Sequence, residues 1–280
     1  MKSSDKILIY DDDCPLCVAY TSAFVKSGLL TTEGRKSFSA VSPELLHTIN
    51  WQRSVNEIPL VDPSTKQVWY GIDALLEILG QKCALIKTIG RVQPINWFLK
   101  KLYSFISYNR KVIVAVKTSP LKVDCTPSFN IFYRVLFMAI FLAVNTLMIL
   151  PVHQHLFAQI PGYSLSLTQL LGLHAIMVAL NCILALFLPK RTALEYLGQV
   201  NMLTLVTNLL LIPLVLTDAF IQPGNWVNYG YLMLVSIVIF HEYFRRMNFA
   251  NMLDRYWLVL TVNLACVMGL CICLFIPFNR

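Results

Sequence analysis

The chain has 280 residues, of which 56% are hydrophobic and only 14% charged, with a mean hydropathy of +0.60. That is too apolar for one soluble globule. The formal net charge of +8 does not mark a nucleic-acid binder, because many cations lie just before the first long apolar run or between such runs, where membrane topology accounts for them.

Residues 1–122 hold 16 of the 23 Lys and Arg and 10 of the 15 Asp and Glu, and residues 123–280 hold the other 7 and 5 among long apolar runs. The chain therefore divides into a half of ordinary composition and a membrane half. Its first residues do not read as a signal peptide: only Ile7 to Tyr10 are apolar before an acidic run, and a signal core needs roughly 7–15 residues. Nor do the eight cysteines read as a secreted disulfide framework, since Cys182, Cys266, Cys271 and Cys273 fall in candidate spans.

In chain order, residues 6–10 form a buried strand, Asp11 to Asp13 a turn, and 15–27 a helix with Pro15 in its first turn and Gly28 at its end. A weak strand at 36–41 and a short helix at 43–50 follow. Residues 57–61 and 67–70 make a hairpin around the turn at 62–66. Gly71 leads into a helix over 74–79, ended by Gly80. The order β-α-β-α-β-β-α is that of a thioredoxin-like α/β domain, expected over residues 1–112. Residues 95–108 form an amphipathic stretch, aromatic and basic. Residues 113–128, with Pro120 and Pro127, read as a linker.

An all-α bundle of five transmembrane helices is expected over 129–280, at about 129–150, 165–188, 199–221, 227–243 and 256–277, each near the ~20 residues a helix needs to cross the hydrocarbon. The connections at 151–164 and 222–226 hold no Lys or Arg. Those at 189–198 and 244–255 carry Lys190, Arg191, Arg245, Arg246 and Arg255, and the tail has Arg280. This alternation predicts an integral protein of the inner or plasma membrane, with a cytoplasmic N-terminal domain and an external C-terminus.

Cys14-Pro15-Leu16-Cys17 places two thiols on one face of a helix start. Free backbone N–H groups and the helix dipole favour the thiolate of the first cysteine there. Cys14 is then the exposed nucleophile that attacks a substrate disulfide, and Cys17 the resolving thiol. The three aspartates oppose the dipole, leaving Cys14 nearer a reductase thiol than a strongly acidic oxidant thiol. Asp11, at the strand end, is best placed to take the proton of Cys17. In thioredoxin-like folds a cis-proline opening a later strand lines the substrate groove. Ile58-Pro59 stands at that position and, with Pro15, forms the expected groove.

Asp11-x-x-Cys14-x-x-Cys17 after an apolar strand resembles the signature of the DCC family of thiol–disulfide oxidoreductases. Gly71-Ile72-Asp73-Ala74 resembles that family's Gly-x-Asp-Ala stretch, and Tyr103 to Arg110 its aromatic–Asn–Arg ending, so the likeness covers about residues 5–112. The resemblance implies a thioredoxin-like fold, a site at Asp11, Cys14 and Cys17, and a reaction class without a substrate.

Other readings are weaker. CxxC is half a zinc site, with Cys83, Cys125, His47 or the aspartates as remote candidates for the rest. Asp11-x-Asp13 faintly resembles a haloacid-dehalogenase phosphatase motif, but Pro15 departs from it. A transmembrane thiol relay through Cys182, Cys266, Cys271 and Cys273 lacks a second CxxC. Haem or quinone binding would rest on His174 alone among deep histidines, with His153 and His155 in a loop. Asn145, Asn181, Asn208 and Asn263 are expected to hydrogen-bond inside the bundle. Asp218 and Glu242 are read as solvated span ends. The sequence thus predicts a membrane-anchored oxidoreductase that exchanges a CxxC dithiol with protein or small thiols, with the bilayer as partner and no metal, organic cofactor or nucleic acid. The rival function is a transport or assembly bundle carrying a non-catalytic binding or regulatory module.

Overall fold

Strand β1 (Ile7–Tyr10) is apolar on both faces, and that places it inside the sheet. The computed structural model describes residues 6–117, 125–157, 165–221 and 225–273. Pro120 and Lys122 of the expected linker, the tail with Arg280, and residues 1–5 lie outside the described residues, as do the side chains of Asp218, Cys271 and Cys273.

The chain forms two compact units, Met1–Tyr133 and Arg134–Arg280. In the first, α1 (Pro15–Lys26) follows β1, then β2 (Arg35–Ser37), a single 3-10 turn (Phe38–Ala40), α2 (Pro43–Thr48) and α3 (Trp51–Ser54). The hairpin β3 (Pro59–Val61) and β4 (Val68–Tyr70) comes next, and then α4 (Ile72–Leu79), α5 (Ala84–Arg91) and α6 (Gln93–Val114). The sheet order is β2-β1-β3-β4. β1 runs parallel to β2 and antiparallel to β3, with Leu8 opposite Leu60. One face carries Leu8, Leu30, Ile58, Leu60, Ala74 and Ile78 in a core. The other packs Ile9 and Val61 with Phe38, Ile49 and Cys125.

The expected element order is present, with α3 and α5 added. α3 is a single turn, and α5 spans only eight residues. The stretch at 95–108 is one helix that runs on to Val114, past the expected domain end at 112. Cys125, expected in the linker, is buried in the second core.

Two glycines are set by backbone geometry. Gly28 (φ +68) closes α1, where Leu29 N–H returns to the Phe24 carbonyl. Gly71 (φ +56) starts α4, and a Cβ there would stand 3.1 Å from Tyr103 Cε1 and 3.3 Å from Glu57 Cγ. Its N–H bonds the Ile58 carbonyl at 2.9 Å, so Gly71 lets α4, β3 and α6 approach closely.

The second unit is helical. Its elements are α7 (Ile131–His155, beginning just before the unit), α8 (Leu167–Leu186), α9 (Lys190–Ile221), α10 (Asn225–Phe249), α11 (Met252–Arg255) and α12 (Trp257–Cys273). Three described helical stretches are long and apolar enough to cross a membrane: Ile131–His155, Leu167–Leu186 and Lys190–Thr217. The described part of α12 is a shorter apolar helix, and α10 is not among the three. The basic residues Lys190, Arg191, Arg245 and Arg246 lie in helical turns rather than in loops, because the helices continue past their apolar stretches. Glu242 pairs with Arg245 at 2.6 Å and Arg246 at 2.8 Å. The asparagines bond inside the bundle as expected. Asn145 Nδ2 donates to Asn201 Oδ1 at 2.8 Å, Asn208 Nδ2 to Asn145 Oδ1 at 3.0 Å, and Asn263 Nδ2 to Asn181 Oδ1 at 2.9 Å. His174 Nε2 meets Thr146 Oγ1 at 3.1 Å, and Cys182 is exposed.

A buried dithiol at the end of the first strand

The turn after β1 is held by Asp11. Its Oδ1 accepts the Asp13 N–H at 3.1 Å, and the Asp11 carbonyl accepts the Cys14 N–H at 3.3 Å. Cys14 caps α1 in extended conformation, Pro15 occupies the first turn, and Cys17 stands one turn inward. Thr21 Oγ1 donates to the Cys17 carbonyl at 2.7 Å and accepts from Arg35 Nε at 2.9 Å, which ties α1 to β2 beneath the site.

Both thiols are buried, Cys14 at 2% and Cys17 at 4% exposure. This corrects the expectation of an exposed Cys14: the turn is held by the Asp11 bonds, with Pro15 exposed and Asp12, Asp13 and Leu16 half-buried. The Cys17 thiol donates to Cys14, and that bond is the largest influence on the pair. It outweighs burial and, with the Cys17 N–H and the Arg110 charge, lowers Cys14 to about 6. Asp11 acts weakly the other way. The same bond and burial push Cys17 well up, opposed by Arg110.

Arg110, near the end of α6, is the residue that sequence reasoning did not place in the site. Its buried guanidinium puts Nη1 3.9 Å from Cys17 Sγ and Nη2 3.2 Å from both Asp11 Oδ2 and the Val55 carbonyl. Nη2 also donates to the Cys125 carbonyl. Burial works against its charge, but Cys17, Asp11 and Cys14 outweigh burial and raise its pKa. Tyr20 and Tyr103 complete the wall. Burial raises both phenols, and the charge of Cys17 adds to each. A Tyr three positions after Cys17 was a local signal for the first; Tyr103 and Arg110 bound the aromatic–Asn–Arg stretch, which marked them without linking them to the dithiol.

Ile58 and Pro59 are buried. The Ile58 N–H donates to Tyr103 Oη at 2.9 Å, and its carbonyl accepts from Gly71. The Ile58–Pro59 bond is trans, which corrects the cis expectation. Trans is the default for X–Pro, and a proline that opens a strand has no ladder N–H to lose. Among the described residues no three His, Cys, Asp or Glu side chains group closely enough to hold a metal ion.

With the dithiol, its aspartate and its arginine placed, comparison with known families bears on the first unit. Residues 8–115 match the DCC1-like thiol-disulfide oxidoreductases. The match to this DCC1-like family spans β1 to the end of α6, so it includes Asp11, the CxxC, Gly71 and Arg110. The second unit lies outside it. No curated protein and no solved structure matches the chain.

Proposed function

We propose that this protein is a membrane-attached thiol–disulfide oxidoreductase, with Cys14 as nucleophile and Cys17 as resolving thiol. The observation that carries this is the hydrogen bond between the two thiols beside a buried Arg110–Asp11 ion pair; the bond favours negative charge on Cys14 and keeps the proton on Cys17. The β-α-β-α-β-β-α order and the sheet order β2-β1-β3-β4 support a thioredoxin-like scaffold over residues 1–112, joined by a segment at 113–128 to the membrane part at 129–280.

Exchange then has two steps. The Cys14 thiolate attacks one sulfur of a substrate disulfide, forming a mixed disulfide and releasing one thiolate, which takes a proton from water. Cys17 next loses its proton and attacks Cys14 Sγ. The Cys14–Cys17 disulfide forms, and the second substrate thiolate departs. Two electrons pass from the dithiol to the substrate. Asp11 accepts the Cys17 proton and hands it to the leaving thiolate. Arg110 stabilises the Cys17 thiolate in this second step. Once Cys14 is tied up, its own charge and hydrogen bond no longer hold the proton on Cys17, and Arg110 is the main influence that favours its ionisation. Pro15 borders the substrate groove, with Ile58 and Pro59 as its floor. The chemistry needs no metal or organic cofactor.

The sequence pattern of basic and neutral connections supports a cytoplasmic N-terminal domain and an external C-terminus, with α10 and α12 crossing as well, for five spans. The substrate is a protein or small thiol on that side. Cys17→Ser should trap a mixed disulfide on Cys14 in cells, and Cys17→Ser with Cys14→Ser should trap none. Full function in vivo for both single variants would instead leave a non-catalytic binding module.

A further inference from the structure

Among the described residues of the first unit, α5 and α6 carry a large exposed apolar face. Leu85 (68% exposed) and Ile89 on α5, and Trp97 (62%), Phe98 (58%), Leu102 and Ile106 on α6, are all exposed. Phe98, Leu102 and Ile106 recur every four residues, so they form one stripe. A different side of α6 holds Tyr103, Ser107 and Arg110, which face the dithiol and its surroundings. The outward stripe therefore does no work in the domain core.

Two observations say what covers it. The first is charge. Residues 78–123 contain no Asp or Glu and nine Lys or Arg; Lys87 and Arg91 pair with Glu77, Lys100 with Asp73 and Arg110 with Asp11, and the exposed Lys101 lies beside the stripe. An apolar stripe with aromatic residues and basic flanks is the pattern of a helix lying in the headgroup region of a bilayer, and anionic lipids strengthen such binding. The second is position. Tyr133, in the first turn of α7, stacks on Tyr108 of α6 at 5.2 Å between centroids. Its carbonyl accepts from Asn109 Nδ2 at 3.1 Å. α7 is itself long and apolar enough to cross a membrane. α6 is thus packed on the residues that open α7, at the end of the first unit.

We infer that the α5–α6 face is a lipid-docking surface that lies on an anionic bilayer beside the entry of α7. The dithiol would then work at the membrane surface, because the docked helix is the one that carries Arg110. The inference needs only the membrane-crossing helices and stands apart from the redox chemistry.

The test uses the full chain reconstituted in phosphatidylcholine vesicles with and without phosphatidylglycerol, the acyl chains brominated near the glycerol end. Trp97 emission is read as the difference between the protein and its W97F variant. Trp226, on α10, serves through W226F as a control for insertion. Trp97 should lose about half its emission to the bromines, more with phosphatidylglycerol and less at high salt. F98S/L102S, at exposed positions, should abolish that loss with an unchanged circular dichroism spectrum, and K101E should weaken it. Trp97 emission that is unaffected by bromine while Trp226 is quenched would overturn the inference. So would blue-shifted, unquenched emission, which would mean that protein covers the face.

Discussion

Cys14 draws its low pKa from Cys17 before anything else, with burial opposing and Arg110 helping. The sign of each effect is testable. The lowered value means that the thiolate is present from about pH 6 upward, so alkylation of Cys14 should rise through about pH 6 and level off above it. An ordinary thiol would rise near pH 8.5. Cys17→Ala removes the largest lowering influence and should move the midpoint upward in an iodoacetamide rate profile. Arg110→Met should slow release of the second thiolate from an aromatic disulfide and raise the pH midpoint of that step by about one unit or more. A lone buried Asp11 would cost stability, about 3–5 kcal/mol by analogy with other broken pairs. D11N/R110Q avoids that by removing both charges. Because Asp11 raises Cys14 and Arg110 lowers it, a raised midpoint for Cys14 alkylation in the double variant reports the loss of Arg110. The motif residues were legible because they sit within seven positions of one another. Arg110 reaches Cys17 across 93 residues of chain, a distance at which spacing carries no signal. The burial of Cys14 was also illegible, since it depends on how the Asp11 turn folds back.

Among the elements, α4 is tied to its neighbours through Glu77. Glu77 binds Lys6 at 2.7 Å, Lys87 at 2.7 Å and Arg91 at 3.1 Å, joining the approach to β1, α4 and α5. Burial works to raise its pKa, but the hydrogen bonds and charges of Lys6 and Lys87 prevail and lower it. Its contribution to stability is therefore complete above the ordinary carboxylate value and is lost as pH falls through the lower folded value. Glu77→Gln should destabilise the domain by about 1 kcal/mol at neutral pH and should flatten its acid transition, both measurable by urea unfolding across pH. Gly71→Ala should cost more, about 1–3 kcal/mol, because it combines a positive φ with a Cβ pressed against Tyr103 and Glu57. The hairpin and α1 were readable from apolar runs bounded by turn residues. For α5, Leu85, Ile86 and Ile89 recur at helical spacing, but nothing in the spacing says that this apolar side faces outward.

For the whole molecule, composition separated the two halves, and the helical second unit follows that separation. The number of spans was less legible. α10 carries Glu242, Arg245 and Arg246 within the same helix as its apolar run, so length and apolarity disagree there. A C-terminal alkaline phosphatase fusion should be active if five helices cross with the N-terminal domain inside, and an active cytoplasmic reporter at that end would contradict the orientation. The central claim is narrower than topology: Cys14 and Cys17 exchange electrons as one couple. Its most direct measurement is a titration of the full chain in graded thiol–disulfide buffers, with the peptide 7–26 read by mass spectrometry. A reversible Cys14–Cys17 disulfide should form in a single two-electron transition, abolished by Cys14→Ser. Absence of that disulfide at every buffer ratio would contradict the claim.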